Sequence, residues 1–184
     1  PYTGVAPDAT LYSYQSTNSG TQSGGTCTAN GAELNSTGTL INQAVEDGAQ
    51  IISISQSDSD SSKELKWAIA NAVSRGVIIV ASVGNNTKDE NSRHLSQWSG
   101  VVGVSAINSD GTFASYSSWG NGVVTSAIGG PYNSYDPSTN EPTTVSGTSV
   151  STALVAGMLA LARQKWPDAT PNQILQSLVH SGLN

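Results

Sequence analysis

Short apolar runs alternate with helical apolar patterns along most of this sequence. The runs of strand length are Ile51 to Ser55, Val77 to Ala81, Val101 to Ile107 and Gly122 to Ile128. A strand that is apolar on both faces, as Val77 to Ala81 is, is typical of a parallel sheet covered by helices on both sides.

Two amphipathic helices are predicted, one before the strand Ile51 to Ser55 and one between that strand and the strand Val77 to Ala81. Thr39 to Asp47 places Leu40, Ile41, Ala44 and Val45 on one face and is followed by Gly48, while Ser61 to Arg75 shows the same pattern and is followed by Gly76. This order of elements is typical of βαβ units. It predicts a three-layer, doubly wound α/β domain with a mostly parallel sheet.

A further strand is predicted near the start, where Ala9 to Gln15 contains Leu11, Tyr12 and Tyr14, followed by a polar loop from Ser16 to about Gly31. With this strand, the sheet has at least five members.

Two helices are predicted in the last third. Thr148 to Lys165 is apolar or small at nearly every position, so we expect a helix that is buried all round and opens with Gly147-Thr148-Ser149. Thr170, Pro171 and Gln173 form the pattern of a capping box with proline in the first turn, which predicts the start of the last helix.

Composition narrows the classes of function. The 184 residues fit one domain, and only 11% of them are charged, with a net charge of -6. Nucleic acids and anionic membranes are therefore poor partners, because no basic surface is available to meet phosphate groups. No apolar run is long enough to span a bilayer, and Cys27 is the only cysteine, which excludes a disulfide within the sequence.

The residues around Ser149 carry the clearest chemical signal. A serine at the start of a buried helix lies near the positive end of the helix dipole, beside unpaired N–H groups that can stabilise an anion. The segment from Val145 to Gly157, with Gly-Thr-Ser followed by Val-Ala-Gly, resembles the nucleophile motif of the subtilisin-like serine proteases, the subtilase or peptidase S8 family.

Four other blocks resemble this family in the same order. They are Gly4-Val5-Ala6-Pro7, Ile51 to Ser55, Val80 to Asn85, and Ser105 to Gly120, and together with the nucleophile motif they cover nearly the whole sequence. The resemblance implies that residues 1–184 are the C-terminal part of a subtilase catalytic domain, incomplete at both ends.

The resemblance also implies roles for individual residues. Ser149 would be the nucleophile, and the Asn85 amide with the Ser149 N–H would bind the oxyanion. Ser55, Gln56 and Ser57 would form one wall of the substrate groove, and Ser82, Val83 and Gly84 would line the specificity pocket. Three departures from the family pattern are present. Gln56 and Ser57 stand where the groove wall is usually glycine-rich, and Val83 stands where a smaller residue is common. Near the nucleophile, Val150 replaces the usual Met, and Ala153-Leu154 replace the usual Pro-His.

The family's catalytic Asp and His motifs precede the block that Gly4 begins, so we expect both residues upstream of this sequence and expect the isolated chain to be inactive. A final glycine-rich strand is expected after Leu183. By the same resemblance, the partners are a peptide or protein substrate and the missing N-terminal part of the domain, the location is extracellular, and the chemistry requires no cofactor. Structural calcium has no support in the sequence.

Other interpretations remain open. The chain fits a non-catalytic peptide-binding module or an inert fragment, and Ser149 alone fits an ordinary helix cap. Asn85 also begins a glycosylation sequon, Asn85-Asn86-Thr87. His94 and His180 lack a motif context and are interpreted as surface or structural residues. Asp58 and Asp60 are interpreted as part of a solvated loop, and the four tryptophans as packing residues.

Overall fold

The structure is a computed structural model that describes residues 4–16, 28–29, 32–33, 35–56, 62–89, 95–136 and 138–181. In chain order, the elements are β1 (Thr28–Ala29), β2 (Ala32–Glu33), α1 (Thr37–Glu46), β3 (Ile51–Ile54), α2 (Lys63–Ser74), β4 (Ile78–Ser82), a 3₁₀ turn (Leu95–Gln97), β5 (Val101–Ile107), β6 (Val123–Ile128), β7 (Tyr132–Tyr135), β8 (Pro142–Val145), α3 (Thr148–Lys165) and α4 (Pro171–His180).

The central sheet has the order β3-β4-β5-β6, with every neighbouring pair parallel. Ile51 of β3 pairs with Ile78 of β4, and Val80 of β4 pairs with Val102 of β5. All residues of β4 are buried, as its continuous apolar run predicts, because helices cover it on both faces. Among the described strands, β3 lies at one edge of this sheet.

Two apolar cores, one on each face of the sheet, make the three layers. Ile79 and Ala81 of β4 pack with residues of α1 and α2, including Ile41 and Leu65. Ile78 and Val80 point the other way and pack with α3 and α4, including Val155 and Ile174. The predicted three-layer α/β architecture with a parallel sheet is confirmed.

Polar caps define where the helices begin. The Ser36 hydroxyl accepts the Thr39 N–H at 3.2 Å, and the Ser62 hydroxyl accepts the Leu65 N–H at 3.1 Å. The predicted capping box is confirmed, since Thr170 Oγ1 accepts the Gln173 N–H and Gln173 Oε1 accepts the Thr170 N–H. Each cap satisfies an N–H that has no partner within its helix.

The prediction of a strand from Ala9 to Gln15 was wrong. These residues form no strand and are exposed, with Leu11 90% accessible, so the described sheet has four members rather than at least five. The Tyr14 hydroxyl instead donates to a carboxylate oxygen of Asp47 at the end of α1. An alternating pattern becomes a strand only where a neighbouring strand supplies hydrogen-bond partners. The predicted loop after this segment lies mostly outside the described residues.

The prediction that α3 is buried all round was also wrong. Thr148, Ser151, Thr152, Val155 and Leu159 are buried toward the sheet, whereas Met158 and Leu161 are 50% and 41% exposed. Apolar composition alone does not say how many faces of a helix are covered.

An antiparallel hairpin of β7 and β8 separates β6 from α3 and was not predicted. Its strands are mostly exposed, so they lack the apolar alternation that marks a half-buried strand. β8 leads directly into Ser146, Gly147 and Thr148.

The tryptophans do not share one role. Trp98 packs against the core and lies under the ammonium group of Lys66, as the packing interpretation expects. Trp67 is 74% exposed, so that interpretation was wrong for this residue. Among the described helices, none is both long enough and apolar enough to cross a membrane.

Candidate active site

The first turn of α3 lies where the parallel strands end, so it meets the residues that follow β3 and β4. Gly147 precedes the helix and has φ of +152°, a conformation that favours glycine. Its N–H donates to the carbonyl of Gly129, just beyond β6, at 2.8 Å. Gly147 thereby ties the start of α3 to the end of a sheet strand.

Ser149 is half-buried, and its hydroxyl donates to the backbone carbonyl of Ser55 at 3.0 Å. The hydroxyl of Ser55 donates in turn to the carbonyl of Ser149 at 3.1 Å. This reciprocal pair fixes the start of α3 against the end of the edge strand β3. In the described part of the chain, the Ser149 hydroxyl meets a carbonyl and no imidazole.

Acceptors are available to three of the first four N–H groups of α3. The Thr148 N–H donates to Asn85 Oδ1 at 2.8 Å, and the N–H groups of Val150 and Ser151 approach the Gly147 carbonyl at 3.1 and 3.4 Å. Within the described residues, the Ser149 N–H has no acceptor. This donor, at the positive end of an 18-residue helix, is therefore available to an anion.

Asn85 is exposed beyond the end of β4, and its side chain is held in one orientation. Its Oδ1 accepts from both the N–H and the hydroxyl of Thr148, at 2.8 and 3.0 Å. Because the oxygen takes both bonds, the Nδ2 donor faces away from Thr148. A Cβ added to Gly147 would lie 3.1 Å from this Nδ2, so the Asn85 amide packs directly on the glycine before the helix.

The loop that carries Asn85 rests on residues 115–118, between β5 and β6. The Ser118 N–H donates to the Gly84 carbonyl at 2.9 Å, and the Ser118 hydroxyl accepts the Asn86 N–H at 3.2 Å. Sequence reasoning identified this Ser-rich turn as a family block but missed these contacts. The only signal for them was a run of small polar residues after an apolar strand.

The predicted substrate-binding residues fall into two groups. Ser55 is exposed and Gln56 half-buried at the end of the edge strand, while Ser57 lies outside the described residues. Ser82, Val83 and Gly84 are buried at the end of β4, and Val83 is 0% exposed. The described residues of the first group are therefore accessible, and their role as a groove wall stays a prediction. The pocket role of the second group stays a prediction.

Other candidate groups lie elsewhere. His180 ends α4, while His94, Asp58 and Asp60 are outside the described residues. No cluster of three or more metal-ligating side chains occurs among residues that the structure describes. A cavity of about 400 Å³ is lined by Val77, which precedes β4, and by Arg163 near the end of α3. It therefore lies at the amino ends of the strands, whereas Ser149 lies beyond their carboxyl ends.

Comparison with known proteins assigns the family. The model of the "Subtilase family" matches residues 2–183. The chain is 32% identical over 176 residues to a thermostable alkaline protease of Halalkalibacterium halodurans, covering 95% of this chain and 45% of that protein. It is 29% identical over 184 residues to subtilisin DY of Bacillus licheniformis, covering 98% of this chain and 64% of that protein. The chain thus spans roughly half to two thirds of the length of these relatives.

Solved structures agree with this assignment. The prenylagaramide maturation protease PagA superposes with a TM-score of 0.70 at 25% identity, over 79% of this chain and 56% of that one. Sphericase superposes with a TM-score of 0.66 at 26% identity, over 78% of this chain and 53% of that one. With the sequence match over nearly its whole length, a parallel sheet between helical layers, and Gly-Thr-Ser opening α3, this chain belongs to the subtilase family of serine proteases.

Proposed function

We propose that this chain is the nucleophile-bearing part of the catalytic domain of a serine endopeptidase, which cleaves peptide bonds through an acyl-enzyme on Ser149. The observation that carries the proposal is the unpaired Ser149 N–H at the start of α3, beside an Asn85 amide whose oxygen is already bound. Two donors beside a serine hydroxyl are what acyl transfer requires for its anionic intermediate. A glycan on Asn85 would replace one of the two Nδ2 hydrogens and place a sugar where the oxyanion has to bind.

The reaction follows from these positions. The Ser149 oxygen attacks the peptide carbonyl, and the negative charge that develops on the carbonyl oxygen is stabilised by Asn85 Nδ2 and the Ser149 N–H. The tetrahedral intermediate collapses, the amine departs with a proton, and an ester to Ser149 remains. Water then hydrolyses the ester and restores the hydroxyl. Every group in this scheme belongs to the polypeptide or to water.

A general base is needed to accept the serine proton, and the Ser149 hydroxyl here donates to the carbonyl of Ser55. We assign the base to a His, oriented by an Asp, in a segment of the parent protein outside this sequence, where the parent protein is the complete gene product. The greater length of the relatives supports this assignment. The isolated chain should then be inactive, and the segment that carries Asp and His is its first partner.

The substrate is a peptide or protein chain held along the end of β3. Ser55 and Gln56 follow β3, the edge strand of the described sheet, and an extended peptide would pair there with backbone groups as an added strand. Two relatives, the extracellular serine proteinase of a Thermus strain and the minor extracellular protease Epr of Bacillus subtilis, are extracellular by name, which supports the same location for this protein.

The experiment is labelling with a fluorophosphonate, which modifies activated serines. In the parent protein we expect one adduct on Ser149, no adduct after Ser149→Ala, and full labelling after Ser138→Ala, which changes an exposed serine in the β7–β8 turn. The 184-residue chain alone should remain unlabelled. A folded parent protein that binds peptides but takes no label and cleaves nothing would overturn the proposal and support a binding module.

A further inference from the structure

Four residues between β5 and β6, Ser115 to Ser118, contact two parts of the candidate site at once. We call this segment the serine turn. It is fixed to the sheet, since the buried Ser117 hydroxyl accepts the Ala106 N–H at 3.0 Å and donates to the Ser118 carbonyl at 3.0 Å. Anything bonded to the serine turn is therefore held relative to β5.

One side of the serine turn holds the Asn85 loop. Besides the two Ser118 bonds, the Thr87 N–H donates to the Tyr116 carbonyl at 3.2 Å, and the Thr87 hydroxyl donates to the Ser115 carbonyl at 2.9 Å. Thr87 has φ of +53°, an uncommon conformation for a β-branched residue that these bonds stabilise. The loop on both sides of the Asn85 side chain is thus anchored to one segment.

The other side of the serine turn reaches the start of α3 through one side chain. The Tyr116 hydroxyl donates at 2.9 Å to the Gly129 carbonyl, which also accepts the Gly147 N–H at 2.8 Å. The contact is close, because a Cβ at Gly129 would collide with the Tyr116 hydroxyl. Burial raises the pKa of Tyr116, so its hydroxyl stays protonated and remains a donor at neutral pH.

We propose that Tyr116 is a positioning residue that sets the separation of the two oxyanion donors, the Asn85 amide and the Ser149 N–H. Its backbone holds the loop of the first donor, and its hydroxyl holds the carbonyl that fixes Gly147, two residues before the second. Tyr116 touches no reacting atom. The inference rests on the proposed function, since it assigns a geometric task within that site.

The test is Tyr116→Phe in the parent protein, because phenylalanine keeps the ring packing and removes only the hydroxyl. Loss of one hydrogen bond of ordinary net strength should lower the kcat of Tyr116→Phe by about threefold to tenfold. Here kcat is expressed per active site, with the active sites counted by fluorophosphonate titration. KM should change less than about twofold, since substrate backbone pairing at β3 is untouched. The inhibition constant of a peptide boronate, which forms a tetrahedral adduct, should rise by the same factor as kcat falls.

Tyr132→Phe is the matched control, because it removes a hydroxyl from a tyrosine that is 37% exposed on β7. It should leave kcat and boronate affinity unchanged. A purely structural role for Tyr116 would lower the melting temperature of Tyr116→Phe and leave both quantities per active site as in the wild type, which would overturn the inference.

A second variant tests the other side of the serine turn. Ser118→Ala removes the acceptor of the Asn86 N–H and should again lower kcat and boronate affinity together. The two hypotheses fail separately. Activity that survives Ser149→Ala would sink the proposed function. Unchanged kcat in Tyr116→Phe, with Ser149→Ala inactive, would sink only the positioning role of Tyr116, whatever Ser118→Ala does.

Discussion

Asn85 and Thr148, 63 positions apart in the sequence, are joined by two hydrogen bonds to a single atom. The Asn85 side-chain oxygen accepts both the N–H and the hydroxyl of Thr148. A buried threonine thereby determines which way an exposed amide points. Acceptor and donor functions of Asn85 are divided between its two side-chain atoms, and they can be separated by mutation.

Asn85→Asp should retain the fold and lose the activity. A carboxylate still accepts both bonds from Thr148, but it has no N–H for the oxyanion and repels negative charge. Removal of this kind of donor in subtilisin lowers kcat by about 10² to 10³, and we expect a loss at least as large in the parent protein. The measurement is kcat on a peptide anilide, alongside the melting temperature.

Asn172→Ala is the control for this change, because it alters an exposed asparagine in the first turn of α4. It should leave kcat unchanged. If Asn85→Asp and Asn85→Ala both retained more than about a tenth of wild-type kcat, Asn85 would not be an oxyanion donor.

Gly147→Ala should impair both folding and catalysis. The positive φ of Gly147 disfavours any side chain, and the new Cβ would press on the Asn85 amide at 3.1 Å. Gly111→Ala is the matched control, because Gly111 has φ of +84° and no atom within 4 Å of the added Cβ. Both variants should lose about 1–2 kcal/mol of unfolding free energy, measured by urea denaturation.

Catalysis separates these two glycine variants. Gly147→Ala should lose kcat in addition to stability, while Gly111→Ala should keep wild-type kcat at temperatures where it is folded. Equal kcat in the two variants would show that Gly147 serves only the backbone conformation.

Thr170→Ala should destabilise α4 without altering the active site. It removes the hydroxyl that accepts the Gln173 N–H, at a typical cost of about 1 kcal/mol in unfolding free energy. Thr170→Ser keeps the acceptor and should be close to wild type. If Thr170→Ala had a lower kcat than the wild type at temperatures where it is folded, the N-terminal cap of α4 would also affect the active site, contrary to this prediction.

The contact between Tyr14 and Asp47 should make stability depend on pH at both extremes. The hydrogen bond from Tyr14 lowers the pKa of Asp47 below its ordinary value of 3.8, so the stability that this bond contributes is present above that pH and is lost as Asp47 protonates. The same bond to Asp47 raises the pKa of Tyr14 from 10.0 to about 12, so the contribution is full below pH 10 and is lost as pH rises toward 12.

Tyr14→Phe tests this dependence. Its urea midpoint should lie below that of the wild type near neutral pH and converge with it in acid and in strong alkali. Tyr12→Phe, which removes another exposed hydroxyl in the same segment, should track the wild type throughout. If the urea midpoints of Tyr14→Phe and the wild type differed by the same amount at every pH, the hydrogen bond between Tyr14 and Asp47 would not be the source of the pH dependence.

The helices and the parallel strands were predictable because their signals are local. The periodic apolar face of residues 39–47 and the capping pattern at Thr170 each lie within one element, and both are present as predicted. Ala9 to Gln15 failed because strand formation depends on a partner strand, and α3 failed because its outer face depends on what packs there.

The candidate site was predictable only in part. Ser149 and Asn85 were singled out because each is embedded in a recognisable motif, and the structure brings them together at the start of α3, while their catalytic roles stay predictions. Tyr116 was missed, since its partner Gly129 lies 13 positions away and gives no pattern in the sequence. Contacts between distant loops emerge only when the sheet brings strand ends together.

Different pairs of helices cover the two faces of the central sheet, and this arrangement has a practical consequence. The helix α3, whose first turn carries Ser149, packs on one face with α4, whereas α1 and α2 pack on the other face. Surface positions on α1 and α2 are therefore suitable for fluorophores, affinity tags or immobilisation. A sensor attached at the exposed Trp67 position would leave the chemistry undisturbed.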